Sequence, residues 1–154
     1  MRRVSGFSLI EIMVTLAILT ILAVAGTAFT RDWVRQAEIT KTVSSLANAV
    51  NLAKSISIKN ERGFTDNSAT AQICLNNNTL SVYKPTSTTV ASCNSTSIYT
   101  FELPSDIQVK DTSNTALTCI AFGHLGNQIP VSTCTNDKLI TITNGNLNET
   151  YTFN

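Results

Sequence analysis

Between Phe7 and Thr30 a single side chain carries formal charge, Glu11. An ionised carboxylate one turn into a membrane helix costs about 2.5–3.5 kcal/mol on insertion scales, so it requires a cationic partner. Elsewhere residues with reactive chemistry are sparse. The only histidine, His124, lies in Gly123-His124-Leu125-Gly126, which reads as a solvated turn. There is no Gly-x-Ser-x-Gly nucleophile, phosphate loop or HExxH motif to recruit it for catalysis. Asp66, Asp106, Asp111, Asp137 and Glu149 are scattered along the chain, without the spacing of a calcium loop. Lys54, Lys59 and Arg62 form a small basic group at the end of a predicted helix. Cations there complement the helix dipole, and a nucleic-acid contact is the minor reading. These residues argue against an enzyme and imply neither cofactor nor metal.

The four cysteines, Cys74, Cys93, Cys119 and Cys134, have no Cys-x-x-Cys spacing, and His124 is not placed to complete a zinc site. In a small exported domain they read as two disulfides, with buried free thiols as the alternative. Three pairings are open. Cys74–Cys93 with Cys119–Cys134 is favoured, because each bridge staples a local β excursion and closes a loop worth about 3 kcal/mol.

The chain has 154 residues, enough for one ordinary domain and too few for two good cores. Only 14% are charged, while Thr, Ser and Asn together make up roughly a third. That balance suits an extracytoplasmic β-rich surface that offers hydrogen bonds rather than ion pairs. The formal net charge is +1, and without Arg2 and Arg3 it is 9 basic against 10 acidic residues. Composition makes no electrostatic case for a dedicated nucleic-acid binder.

Glu11 is positioned by the apolar run from Phe7 to Phe29. As a helix this run reaches about 35 Å, enough to cross a bilayer's hydrocarbon core. Arg2 and Arg3 precede it, so the positive-inside bias puts the N-terminus in the cytoplasm and everything after Arg31 outside. Trp33 then falls where an indole sits well at the membrane interface. Ala23-Val24-Ala25 offers a secretory cleavage site, but the apolar run continues past it. Ile39, Val43, Leu46, Val50 and Ala53 continue as one apolar stripe at alternating spacings of four and three, with Lys41, Ser45, Asn48 and Lys54 on other faces. Gly63 is the expected terminator, giving one helix from about Phe7 to about Lys59, near 80 Å long. Beyond it, segments such as TAQICL, TLSVYK, SIYTFEL, DIQVK, LTCIAF and KLITIT read as short strands between Asn, Ser, Gly and Pro turns. Lys138–Thr143 and Leu147–Phe153 around Asn144-Gly145-Asn146 form the clearest hairpin. The expected fold is α+β, a long N-terminal helix packed against a C-terminal antiparallel sheet.

The segment Gly6-Phe7-Ser8-Leu9-Ile10-Glu11 resembles the class III signal of type IV prepilins and type II secretion pseudopilins. The resemblance implies the type IV pilin fold. It also implies cleavage after Gly6 by a prepilin peptidase, methylation of the new amine of Phe7, and retention of the helix. Glu11 then meets the N-terminal positive charge of the subunit docked above it. Many pilins carry a proline in the middle of this helix; here none occurs before Pro85. The helix end NLAKSISIKNERG and the turn Phe122-Gly123-His124-Leu125-Gly126 are similar to the GspH/FimT/FimU group of minor pilins and pseudopilin H. The DNA-binding branch of that group carries a Gly-Arg-x-Arg motif. The corresponding Asn144-Gly145-Asn146-Leu147-Asn148-Glu149 has no arginine, so nucleic acid is not expected as a partner.

The expected organisation is a cleaved leader at 1–6, a transmembrane and assembly segment at 7–30, and a periplasmic head at 31–154. Within the head a half-helix covers about 31–60 and β-structure about 65–154. The expected role is that of a structural minor pilin near the tip of a type IV pilus, helping to prime assembly. Pseudopilin H of a type II secretion system is the closest alternative, and a DNA-binding uptake pilin is a third. The expected partners are other minor and major pilins or pseudopilins, prepilin peptidase, and inner-membrane lipid before assembly. The expected location is the inner membrane, single-pass, and then the pilus.

Overall fold

A computed structural model describes residues 6–65 and 67–153, apart from the side chains of 27–29. Arg2, Arg3 and Asp66 lie outside the described residues. One helix, α1 (Leu9–Lys59), is followed by eight strands: β1 (Ala71–Asn76), β2 (Thr79–Lys84), β3 (Thr96–Glu102), β4 (Ile107–Lys110), β5 (Cys119–Phe122), β6 (Gln128–Ile129), β7 (Leu139–Asn144) and β8 (Leu147–Thr152). This is an α+β, pilin-like arrangement, an apolar N-terminal helix with antiparallel sheets after it. The chain divides into two compact units, Met1–Arg35 and Gln36–Asn154.

In the first unit the helix forms because nothing interrupts it. No proline occurs there, and most of its residues are good helix formers. The Ser8 carbonyl accepts the amides of Glu11 and Ile12, at 3.0 and 3.3 Å. Its apolar side chains are exposed, from Leu9 at 78% to Val24 at 74%. Such a surface is stable in lipid and unstable in water. Hydroxyls in this stretch turn back on the helix: Thr15 donates to the Ile12 carbonyl at 2.9 Å and Thr20 to that of Ala17 at 2.8 Å. In hydrocarbon, where no water can serve them, that satisfies each donor internally. This is the one described helix long and apolar enough to cross a membrane.

In the second unit, α1 buries Ile39, Leu46, Ala49, Val50 and Ala53. Its buried face is wider than the apolar stripe alone suggests. Thr42, Ser45 and Ser57 are also inside, so the expectation that Ser45 lies on another face is wrong. Small hydroxyl residues let the sheet approach closely; Thr42 donates to the Glu38 carbonyl at 2.8 Å. The helix ends at Lys59 through Asn60 rather than Gly63. Asn60 adopts φ 38°, and its side chain both donates to the Phe64 carbonyl (2.6 Å) and accepts the Phe64 amide (3.0 Å). Asparagine tolerates this left-handed conformation, so it can cap as glycine does.

Two antiparallel sheets complete the unit, one ordered β3-β2-β1-β5-β6 and one ordered β4-β7-β8. Ile73, Val82, Ile120, Phe122, Ile140 and Ile142 join the helix residues in one core. Alternation decides the inward face: Ile140 and Ile142 are buried, while Leu139 and Thr141 are half-exposed. Asn77 and Asn78, at φ 46° and 62°, make the tight β1–β2 turn, whose two central residues both need positive φ. Asn144, fully buried at the end of β7, donates from Nδ2 to Glu38 Oε2 at 2.6 Å and ties that sheet to α1.

Disulfides join Cys74 to Cys93 and Cys119 to Cys134. Cys74 and Cys119 are directly paired across β1 and β5, yet each bonds outward to its own loop. The bridges hold loops over the outer face of the larger sheet, where Ala69, Ala91, Ala121 and Ile129 form a second small cluster. Cys74→Ala with Cys93→Ala is expected to lower unfolding free energy by about 3 kcal/mol, as is the Cys119→Ala, Cys134→Ala pair. Urea unfolding of the full chain in detergent, read by near-UV dichroism of the head, measures both.

Candidate assembly site at the start of the helix

The residues singled out at the N-terminus stand where α1 begins. Gly6 lies two residues before the Ser8 carbonyl that starts the hydrogen-bonded turn. A Cβ built on Gly6 would meet nothing within 4 Å, and its φ is not in the left-handed region. Neither packing nor backbone conformation in this chain therefore explains a glycine at this position.

Phe7 is 81% exposed. One helical turn on, Glu11 is exposed as well, and its carboxylate has no hydrogen-bond or ion-pair partner among the described residues. Phe7, Glu11, Ile12 and Thr15 line one shallow hollow of about 270 Å³. Glu11 and Thr15, four residues apart, share one helix face, with Phe7 and Ile12 beside them. The arrangement can accept a cation: the hollow is walled by apolar groups, and its only ionisable side chain is an unneutralised carboxylate. Ile12 and Thr15 were not singled out from sequence. Thr15, four residues on from Glu11, is the one that helical spacing would have included.

The other candidates do not join this site. The four cysteines are consumed in the two bridges of the head. His124 sits in the turn between β5 and β6, where Gly126 (φ 74°) brings the backbone against α1; a Cβ on Gly126 would come within 3.0 Å of Ile58. No group of His, Cys, Asp and Glu able to hold a metal occurs among the described residues. Lys59 pairs with Glu61 at 2.6 Å near the end of the helix.

The profile of the prokaryotic N-terminal methylation motif matches residues 1–27. No curated protein and no solved structure matches the chain. The prepilin-type motif, the long N-terminal helix and the β-sheet head together fit a type IV pilin-like protein. The motif implies processing by prepilin peptidase and assembly with other pilins, and pilin-like proteins are structural rather than enzymatic. With the apolar helix, it also suggests membrane anchoring and a place in a pilus fibre.

Gly6→Val should leave the helix and the head unchanged, since no atom of the described chain opposes a side chain there. Far-UV dichroism and the thermal midpoint of the purified protein should match wild type. Accumulation of the unprocessed chain, seen by mass on immunoblots, is the expected defect.

Proposed function

We propose that this chain is a structural minor pilin, incorporated below the tip or along the shaft of a type IV pilus, where it helps to prime assembly. One observation carries the reading. Within the matched methylation motif, a carboxylate stands exposed one turn into an apolar helix with no partner among the described residues. In this reading the leader 1–6 is removed and Phe7 is methylated. Residues 7–30 lie in the inner membrane with the N-terminus cytoplasmic, and the head 31–154 is periplasmic. When a subunit docks beneath another, its Glu11 meets the methylated Phe7 amine, or the equivalent amine, of the subunit above. Inside hydrocarbon that contact favours one axial register, because any other leaves two charges unpaired.

A subunit at the very tip has nothing above it and needs no such carboxylate, so keeping Glu11 argues for a position with a neighbour above. Placement in the GspH/FimT/FimU group belongs to the same proposal. Its support is the Phe122–Gly126 turn, whose second glycine is needed for the close approach to Ile58. The head carries seven basic and eight acidic side chains from residue 36 onward, which favours protein neighbours over a nucleic-acid track.

Mass spectrometry of the native protein is expected to find N-methylated Phe7 as the first residue; a terminus after Ala25 would refute the proposal. Glu11→Ala is expected to insert and fold normally, because removing the charge eases insertion by about 2.5–3.5 kcal/mol. Its crosslinking to other pilins should fall, and pili per cell with it. Undiminished crosslinking and normal pilus number would show that the carboxylate is dispensable.

A further inference from the structure

Where α1 ends, a pocket of about 310 Å³ opens between the helix terminus and the end of β2. Three cations line it: Lys59, Arg62 and Lys84. Ile56, Pro85 and Ile98 supply an apolar wall. In a head with only seven basic side chains from residue 36 onward, this is a marked concentration. One carboxylate is already present. Glu61 Oε1 rests 2.6 Å from Lys59 Nζ, with both side chains more than half exposed. The Lys59 hydrogen bond and then its charge hold the Glu61 carboxyl below the usual carboxylate range, with Lys84 and Arg62 adding to the effect. The field of all three cations thus reaches one spot. Arg62 and Lys84 have no ion-pair partner of their own among the described residues.

The carbonyl end of a helix repels anions, so only these side chains could hold one there. An exposed pair such as Lys59–Glu61 is weak and readily exchanged. A phosphodiester would gain nothing from the isoleucine and proline wall, whereas the methylene stem and apolar flanks of an acidic side chain would. The loop is also preset: the Asn60 side chain clamps Phe64 in both directions, which lowers the ordering cost of binding.

We propose that this pocket receives an acidic side chain flanked by apolar residues on a neighbouring protein subunit, its carboxylate engaging Arg62 and Lys84 and displacing Glu61 from Lys59. The identity of the neighbour as a filament subunit rests on the function proposed above; the chemistry of the pocket does not.

The test uses the full chain in detergent micelles and a capped pentapeptide, Ala-Ile-Glu-Ile-Ala, with its glutamine counterpart as control. Amide NMR shifts at Lys59, Arg62 and Lys84 report binding. The glutamate peptide is expected to titrate these signals and the glutamine peptide to leave them still. Arg62→Gln with Lys84→Gln should weaken binding about tenfold, and raising salt to about 0.5 M should weaken it likewise. Glu61→Gln should tighten binding a few-fold by removing the resident competitor, an effect that a merely structural role would not produce. These exposed substitutions should leave the thermal midpoint unchanged, which separates binding from folding. Equal response to both peptides, indifference to the double variant, or no tightening in Glu61→Gln would overturn the proposal. Inorganic phosphate binding more than tenfold tighter than the peptide would also overturn it, reassigning the pocket to phosphate ligands. Failure of the filament reading would instead appear as normal piliation in Glu11→Ala, with peptide binding intact.

Discussion

A carboxylate surrounded by hydrocarbon must lose its charge or find a cation, and the apolar N-terminal segment sets that condition at Glu11. The helix around it supplies no relief. Its side chains from Leu9 to Gly26 are otherwise uncharged and all exposed, and its hydroxyls at Thr15 and Thr20 are spent on the helix's own carbonyls. A surface so apolar is suited to lipid before assembly and to other helices of its kind afterwards. What lipid cannot provide is the positive charge. A second subunit can, and under the function proposed above the segment that anchors one chain also places the next.

The head answers a different demand, that of holding a fold together with few charges. It relies on a helix face in which small residues alternate with aliphatic ones, on two antiparallel sheets, and on hydrogen bonds from amides and hydroxyls. The buried Asn144–Glu38 bond shows how polar groups work here. Asn144 is almost fully enclosed, and its Nδ2 would be costly to bury without the Glu38 carboxylate at 2.6 Å. That one contact couples the end of β7 to α1, across 106 residues of sequence. The disulfides act on loops that have too little apolar surface to hold themselves, so that chain entropy rather than a larger core secures the outer face of the sheet.

Much of this was legible before any coordinates, for physical reasons that can be named. The helix could be read because its apolar residues run unbroken and then recur at helical spacing to Ala53. Seven of the strands could be read because β-branched and aromatic residues cluster between Asn-rich turns, their ends shifting by up to two residues, whereas the two-residue β6 is too short to give a signal. Local sequence could not show that Cys74 and Cys119 face each other across β1 and β5, a register set by non-local pairing. It also pointed to Gly63 as the helix stop, because asparagine's tolerance of positive φ is a weaker signal than glycine's. Ser45 departs from the expected face because polarity favours exposure on average, whereas close helix–sheet approach rewards small size. Lys84 could not be joined to Lys59 and Arg62, because the strand that carries it returns to the helix end only in three dimensions. At the N-terminus the motif is plain in the sequence, whereas among the described residues neither Gly6 nor Glu11 has a packing or pairing role.

Electrostatics at the start of the helix make the same point by magnitude. Glu11 is in the first turn of α1, where the dipole favours an acid. That preference is worth about 0.3–1 kcal/mol, against roughly 2.5–3.5 kcal/mol to carry the carboxylate into a membrane. The dipole thus offsets only part of the cost of carrying such a charge toward the middle of a membrane, where the larger figure applies. At the other terminus the comparison reverses. Lys59 lies in the last turn, exposed, where it complements the carbonyl end and is held further by its hydrogen bond to Glu61 at 2.6 Å. The two charged residues thus face unequal costs: in a membrane Glu11 carries a desolvation penalty that the exposed Lys59 does not. Under the proposed function, that local penalty is offset by the amine of a neighbouring subunit, which is why the carboxylate can be kept inside the apolar run.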